Sequence, residues 1–357
     1  MKQLHIIQHL KPGGIESLVS EIMRLQNSEV HIVMLEGKSS HSLGVMPHLK
    51  AFEHRLHFLD KGAGFSMSTL FKLRKIIEKI DPVFVNSHHI GPLIYTSLAC
   101  LMTKRVHVHT EHDAWHLDAD WHRKLQSAAL TIGSPIWVAD AHFVQKKLQE
   151  HFPDGKTRVI HNGIDIERFQ PADQSHARAF LELPNEVPMI GCAARLEPVK
   201  NLQQLIKILV HLPDVHLAIA GTGSLKDQLF VQARELKVSQ RVHFLGQVQK
   251  VERFYQALDL FCLVSENEGF PLSVLEAQAC NIPVIVRDVG GCRESICQKT
   301  GMVLQTKSDI ELINAIKVQL ARSFKIKPRN FIEQRFSVQQ MMSAYQQLVE
   351  IKYQGVA

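Results

Sequence analysis

Short apolar runs rich in β-branched residues alternate along this chain with longer segments whose apolar positions recur at helical spacing. Runs this short suit strands, and several are apolar throughout, as strands covered on both faces are. In the first half the pattern predicts strands at 4–8, 30–35, 55–59, 83–87, 106–110, 137–139 and 158–161. In the second it predicts 189–193, 215–220, 242–245, 260–263 and 283–286. Strands that alternate with helices build parallel sheets covered on both sides. The expected class is therefore α/β, as two Rossmann-like, doubly wound domains facing across a cleft, with ligands at the C-terminal ends of the strands.

The pattern lapses over 162–185, where Pro171 and Pro184 stand among polar residues, and resumes at Met189. A linker near 165–186 gives a first domain over 1–168 and a second over 169–335. The remaining segment, 336–357, predicts a final helix able to pack back on the first domain. Length supports the division, because 357 residues exceed what one core usually organises.

Composition narrows the class. With 45% hydrophobic and 21% charged residues, the chain is globular and not disordered. Its six cysteines lack metal-ligand spacing and several lie in apolar stretches such as 260–264, so they read as reduced core residues of a cytosolic protein. No basic leader with a small-residue cleavage site opens the sequence and no apolar run approaches the length of a membrane span. The expected location is cytoplasmic, with any membrane contact peripheral. A net charge of +6, spread over both halves, is as readily a solubility feature as a sign of anionic partners. No nucleic-acid partner is expected.

Candidate chemistry lies in three segments. Lys11-Pro-Gly-Gly-Ile-Glu16 follows the first strand and opens a helix; Gly13 and Gly14 let backbone approach a ligand, and the helix N-terminus offers free N–H groups to a phosphate. A tight turn would carry the same letters. Arg195-Leu-Glu-Pro-Val-Lys200 follows the first strand of the second domain, where a guanidinium can grip phosphate oxygens bidentately and an ammonium adds a point charge. A solvated basic loop is the alternative. The most informative segment is Glu268-Gly-Phe-Pro-Leu-Ser-Val-Leu-Glu276. Pro271 suits the first helical position, which leaves Glu268 in the loop at the mouth of the cleft and puts Glu276 inside the helix. A carboxylate there can accept paired hydrogen bonds from vicinal hydroxyls, as on a ribose. Asn281 suits the left-handed residue that ends the helix.

Taken together these segments resemble the retaining glycosyltransferases of family 4, enzymes of the two-domain GT-B fold. The resemblance runs over nearly the whole chain, through His161-Asn-Gly-Ile-Asp165, Gly221-Thr-Gly223, Phe244-Leu-Gly246 and Val289-Gly-Gly-Cys-Arg-Glu294. It implies that Arg195 and Lys200 bind the donor diphosphate, Glu276 the nucleotide ribose, and Glu268 the transferred sugar near the reaction centre. Gly14, beside Gly13, would approach the diphosphate from the first domain. His112, in Thr110-Glu-His-Asp113, matches a histidine that touches the donor sugar and helps stabilise the developing charge, and Leu245 would lie near the base.

The implied reaction moves a sugar from a nucleoside-diphosphate sugar, a uridine one before a guanosine one, to a hydroxyl of a glycan or lipid-linked acceptor in cell-envelope polysaccharide or lipopolysaccharide synthesis. Two cations and a helix N-terminus can neutralise the leaving diphosphate, so no metal and no other cofactor is called for. Retention follows if the acceptor attacks from the face the diphosphate leaves, a diphosphate oxygen helping to deprotonate it. Two residues depart from the family pattern: Asn281 replaces a glycine and Arg287 a small or polar residue.

Other readings compete. Of the 21 histidines, 17 precede residue 171, and His107 and His109 share one face of a predicted strand, a spacing that metallohydrolases use. Carboxylate ligands are not arranged for that chemistry, and the second domain would be left unexplained. Nucleotide-sugar epimerases share the fold but act without an acceptor and lack the combined Arg195, Lys200, Glu268 and Glu276 pattern. A binding module that has lost catalysis is a third alternative. Finally, 68–80 sets Leu70, Leu73, Ile76, Ile77 and Ile80 on one helical face and Lys72, Lys75 and Lys79 on the other. Such a helix either lies on anionic lipid or covers a sheet with a solvated basic face.

Overall fold

The computed structural model describes residues 2–353 apart from 12, 27, 28 and 324, so Pro12 of the glycine loop and the last four positions of the C-terminal segment lie outside the described residues. The chain forms two compact units, Met1–Gly163 with Val338–Ala357, and Ile164–Ser337.

The first unit is built on seven strands: β1 Gln3–Ile7, β2 Val30–Met34, β3 Leu56–Phe58, β4 Phe84–His88, β5 Val106–Glu111, β6 Ile136–Ala139 and β7 Thr157–Val159. Their order in the sheet is β3-β2-β1-β4-β5-β6-β7, with every pairing parallel. Strands β1, β2 and β4 are buried at every position, yet they carry Gln3, His5, His31, Asn86, Ser87 and His88. Polar side chains in such places are costly unless hydrogen-bonded. The helix Val338–Tyr353 belongs to this unit: Tyr345 Oη lies 2.9 Å from Thr110 Oγ1 on β5, and the Gly163 amide donates to Met341 Sδ at 3.3 Å.

The helix Met67–Ile80 shows which reading of its segment is right. Leu70, Leu73, Ile77 and Ile80 join Leu4, Val85 and Tyr95 in one buried cluster, while Lys72, Lys75 and Lys79 are exposed. The apolar face read from the sequence therefore covers the sheet and leaves the basic face exposed. Among the described residues no helix is long and apolar enough to cross a membrane.

The second unit has six parallel strands: β8 Met189–Ala193, β9 His216–Ala220, β10 Val242–Gly246, β11 Leu260–Leu263, β12 Val284–Arg287 and β13 Met302–Leu304. Their order is β10-β9-β8-β11-β12-β13. Strand β13 is absent from the sequence expectation, although β3 and β7, equally short, were expected. The chain passes between the units at Gly163 and Ile164, upstream of the expected boundary at 168. The reason lies in Arg329, whose guanidinium donates to Ile166 O at 2.9 Å and to Phe169 O at 2.7 Å, tying that stretch to the second unit. The expected linker is likewise structured: Asp173 caps the helix Gln174–Phe180, and the buried Arg178 donates to Ala257 O and Asp259 Oδ2.

Candidate functional site

In the second unit the order of strands reverses between β8 and β11, and at such a switch point the two following loops diverge and leave room for a ligand. The loop after β8 carries Arg195 and Lys200; the loop after β11 carries Glu268. The Glu266 amide donates to Val199 O at 2.8 Å, which joins the loops, and Lys200 Nζ donates to Glu268 Oε1 at 2.6 Å. The Lys200 and Glu268 side chains are 17% and 10% exposed, so the pair is largely shielded while the lysine retains further N–H donors. Arg195 is exposed, and among the described residues no hydrogen bond or ion pair holds its guanidinium.

Glycines brace both loops by close backbone approach. At Gly290, with φ +55°, a Cβ would stand 1.6 Å from Glu268 O, and the Gly291 amide donates to Gly269 O at 2.7 Å. At Gly221, with φ +136°, a Cβ would stand 1.9 Å from Ala194 O. The left-handed conformation and the lack of a side chain are both required there.

The helix carrying Glu276 is Leu272–Ala279; Pro271, expected as the first helical residue, is its N-cap, one position earlier. Asn281 does adopt φ +66°, and the Ile282 amide reaches back to Ala277 O at 3.0 Å to close the helix end. Glu276 is half-buried and accepts from Tyr255 Oη. Burial, and then the neighbouring Glu276, pushes that hydroxyl well above the usual tyrosine range. Leu245 is half-buried on β10, next to Gly246. Arg287 turns inward: 3% exposed, it donates to Glu266 Oε1 at 2.7 Å and Gln204 Oε1 at 2.5 Å, behind the Glu268 loop.

In the first unit the corresponding reversal lies between β1 and β4. Gly13 is the N-cap of the helix Gly14–Leu25, with extended backbone and no side-chain cap, and a Cβ on Gly14 would meet nothing within 4 Å. Neither glycine is demanded by a backbone angle; Gly14 leaves open space at the helix start, whereas a Cβ on Gly13 would stand 2.4 Å from Glu16 Oε2. Close by, His9 Nδ1 lies 3.1 Å from Glu16 Oε1, and the neighbouring carboxylate raises the imidazole's pKa.

His112 follows β5 and is 7% exposed, its Nδ1 3.1 Å from Asp140 Oδ2 and its Nε2 2.9 Å from His88 Nδ1. His107 Nε2 and His109 Nδ1 converge on Ser87 Oγ at 2.8 and 2.9 Å, and His109 Nε2 meets Glu111 Oε1 at 2.9 Å. The histidine pair that suggested a metal site is thus committed to an internal hydroxyl and carboxylate. Tyr255 and Asp140 had no signal in the sequence, being 21 and 28 residues from the groups they hold.

Residues 12–168 match the model of Glycosyltransferase Family 4, and residues 173–336 that of Glycosyl transferases group 1. Over 162 residues the chain is 37% identical to the D-inositol 3-phosphate glycosyltransferase of Mycolicibacterium gilvum, covering 43% of this chain and 37% of that protein. Over 187 residues it is 34% identical to the GDP-mannose-dependent monoacylated alpha-(1-6)-phosphatidylinositol monomannoside mannosyltransferase of Corynebacterium glutamicum, covering 48% and 46%. The chain spans less than half the length of these curated relatives. Among solved structures, HepE of Anabaena in complex with UDP-glucose has a TM-score of 0.80 at 22% identity, covering 97% of this chain and 100% of that one. Sucrose-phosphate synthase of Thermosynechococcus elongatus has a TM-score of 0.76 at 19% identity, covering 98% and 99%. These likenesses carry the fold, which is GT-B. With its two halves matched by the two models of one family, the chain belongs to the family-4 glycosyltransferases.

Proposed function

We propose that the protein is a retaining glycosyltransferase that moves a sugar from a nucleoside-diphosphate sugar to a hydroxyl of a glycan or lipid-linked acceptor in cell-envelope polysaccharide synthesis. The observation that carries this reading is the shielded Lys200–Glu268 pair beside the exposed Arg195, at the switch point of the second unit. Arg195 and the remaining donors of Lys200 bind the diphosphate and stabilise its charge as it leaves, the type of interaction that lowers a barrier most. Glu268 anchors the lysine and turns its second oxygen to the sugar. Glu276, steadied by Tyr255, takes the ribose hydroxyls, and Leu245 packs near the base. On the first unit, the resemblance assigns the helix start at Gly13 and Gly14 to the diphosphate and His112 to the sugar.

A uridine donor is favoured by the HepE complexes with UDP and UDP-glucose, whose chains match over nearly the whole length. A guanosine donor is favoured by the relative named for GDP-mannose. Contact with an anionic membrane, where a lipid-linked acceptor would reside, has to use a surface other than the buried apolar face of Met67–Ile80.

Thermal unfolding with UDP-glucose, UDP-galactose, UDP-N-acetylglucosamine and GDP-mannose tests the donor site, since a ligand at about 100 times its Kd stabilises by about 2.7 kcal/mol. A uridine sugar is expected to raise the midpoint most, with Arg195→Ala and Lys200→Met abolishing the shift. A larger shift with GDP-mannose would move the donor class, and no shift with any of them would reject the reading.

A further inference from the structure

Five consecutive strands of the first unit each contribute one residue to a single buried polar column. His5 lies on β1, His88 ends β4, His112 follows β5, Asp140 follows β6 and Asn162 follows β7, in the order in which the strands neighbour one another. His5 Nδ1 is 3.1 Å from His88 Nε2, His88 Nδ1 is 2.9 Å from His112 Nε2, and His112 Nδ1 is 3.1 Å from Asp140 Oδ2. Asn162 Nδ2 donates to the same Asp140 oxygen at 2.9 Å. None of the five is more than 7% exposed.

A neutral imidazole has one N–H and one lone pair, so a column of ring nitrogens facing one another has only two polarities. In one, an anionic Asp140 accepts from Asn162 and from His112 Nδ1–H, His112 Nε2 accepts from His88 Nδ1–H, and His88 Nε2 accepts from His5 Nδ1–H. The column then ends on the lone pair of His5 Nε2, which is buried and has no partner among the described residues. The other polarity needs a protonated Asp140 and ends on a buried His5 N–H without an acceptor, and orphaned buried N–H groups are the rarer kind. The convergence of two donors on one Asp140 oxygen favours the first.

We propose that Asp140, held by Asn162, is a positioning residue that fixes His112 as the Nδ1–H tautomer, with its Nε2 lone pair occupied by His88. The consequence for catalysis rests on the glycosyltransferase reading. His112 then presents a neutral ring with no proton to give and no lone pair to receive one. It brings no positive charge to a developing oxocarbenium ion, and the acceptor's proton leaves by way of the donor diphosphate. The column also gives a task to Asn162 of the His-Asn-Gly-Ile-Asp segment, which the donor site does not use.

Ring 15N–1H correlation spectra of protein labelled at histidine, with His112 identified by the loss of its signals in His112→Gln, test the tautomer directly. The wild type is expected to show His112 protonated at Nδ1; protonation at Nε2 overturns the proposal without any further variant. Asp140→Asn keeps the shape but can turn its amide N–H toward Nδ1. It is expected to move His112 to the Nε2–H form and to lower kcat at least tenfold for UDP release from UDP-glucose, with KM unchanged. An Asp-to-Asn change beside a histidine can reverse its tautomer while leaving the geometry intact. Lost turnover with an unchanged tautomer would show a merely structural role and also overturn the proposal. A wild type that releases no nucleoside diphosphate from any uridine or guanosine sugar would sink the glycosyltransferase reading and leave the tautomer result standing.

Discussion

At the scale of single residues, two glycines that look alike in the sequence do different things. Gly290 is forced by its φ of +55° and by the carbonyl of Glu268, 1.6 Å from where a Cβ would be. The left-handed conformation alone costs an alanine about 1–2 kcal/mol, and the Glu268 backbone would also have to move. Gly290→Ala is therefore expected to lower stability by more than about 2 kcal/mol in urea unfolding and to impair turnover. Gly14 has open space around its missing Cβ, so Gly14→Ala should leave stability within about 0.5 kcal/mol. It should nevertheless weaken the thermal shift with a uridine sugar about tenfold in ligand concentration, if backbone approach to the diphosphate is what that glycine allows. A stable Gly290→Ala, or a Gly14→Ala with undiminished binding, would reverse these assignments. The same contrast marks what the sequence could disclose. The left-handed turn at Asn281 is written in adjacent residues, and its φ of +66° was legible. The setting of His112 was not, because His88 and Asp140 are 24 and 28 residues away and meet it only once the sheet has formed.

At the scale of elements, β8 and β11 were legible to the residue because each is an apolar run between turn signals, and they are the strands that position Lys200 and Glu268. Strand β13 and the helix Gln174–Phe180 were not. The first is no shorter than the expected β3 and β7, so its length does not explain its absence, and the second is held by Arg178 through contacts to Ala257 and Asp259 that no local pattern encodes. Arg287, at the end of β12, illustrates how a departure from a family pattern acquires meaning only from its neighbours. Its guanidinium links Gln204 on the helix Leu202–Ile208 to Glu266, two residues before Glu268. Hydrogen bonds to a charged, buried group contribute about 1.5–3 kcal/mol, whereas an exposed pair contributes up to about 1. Arg287→Met should therefore lower the stability of the second unit by about 2 kcal/mol in urea, and Arg293→Met, which breaks a half-exposed pair with Asp288, by well under 1. Equal effects would mean that Arg287 is a surface ion pair in all but position.

At the scale of the whole molecule, the histidines divide the two units by their response to acid. Burial lowers His5 and His57 to about 4, pushes His88 and His107 well below the usual range and lowers His89, all in the first unit. In the second unit His216 and His243 are also lowered by burial, but both are only partly covered. A ring whose folded pKa lies below its unfolded value of 6.5 favours the neutral form in the fold. Its contribution is complete above about pH 6.5 and is lost as the pH falls through about 4. His116 runs the other way. Burial is the largest influence and lowers it, but the Asp113 hydrogen bond, Glu111 and Gln126 together outweigh burial and raise it to about 9. That contribution is full below about 6.5 and is lost as the pH rises through 9, so it does not offset the acid loss. The first unit should accordingly unfold at higher pH than the second during acidification. The sequence supplies separate reporters, since Trp115, Trp121 and Trp137 all lie in the first unit, and all six buried cysteines but Cys100 lie in the second. In a Cys100→Ala background, tryptophan emission is expected to shift at a higher pH than the onset of thiol labelling by 4,4′-dithiodipyridine, which reacts in acid. Coincident transitions, or labelling that comes first, would show that buried imidazoles do not set the acid limit of this fold.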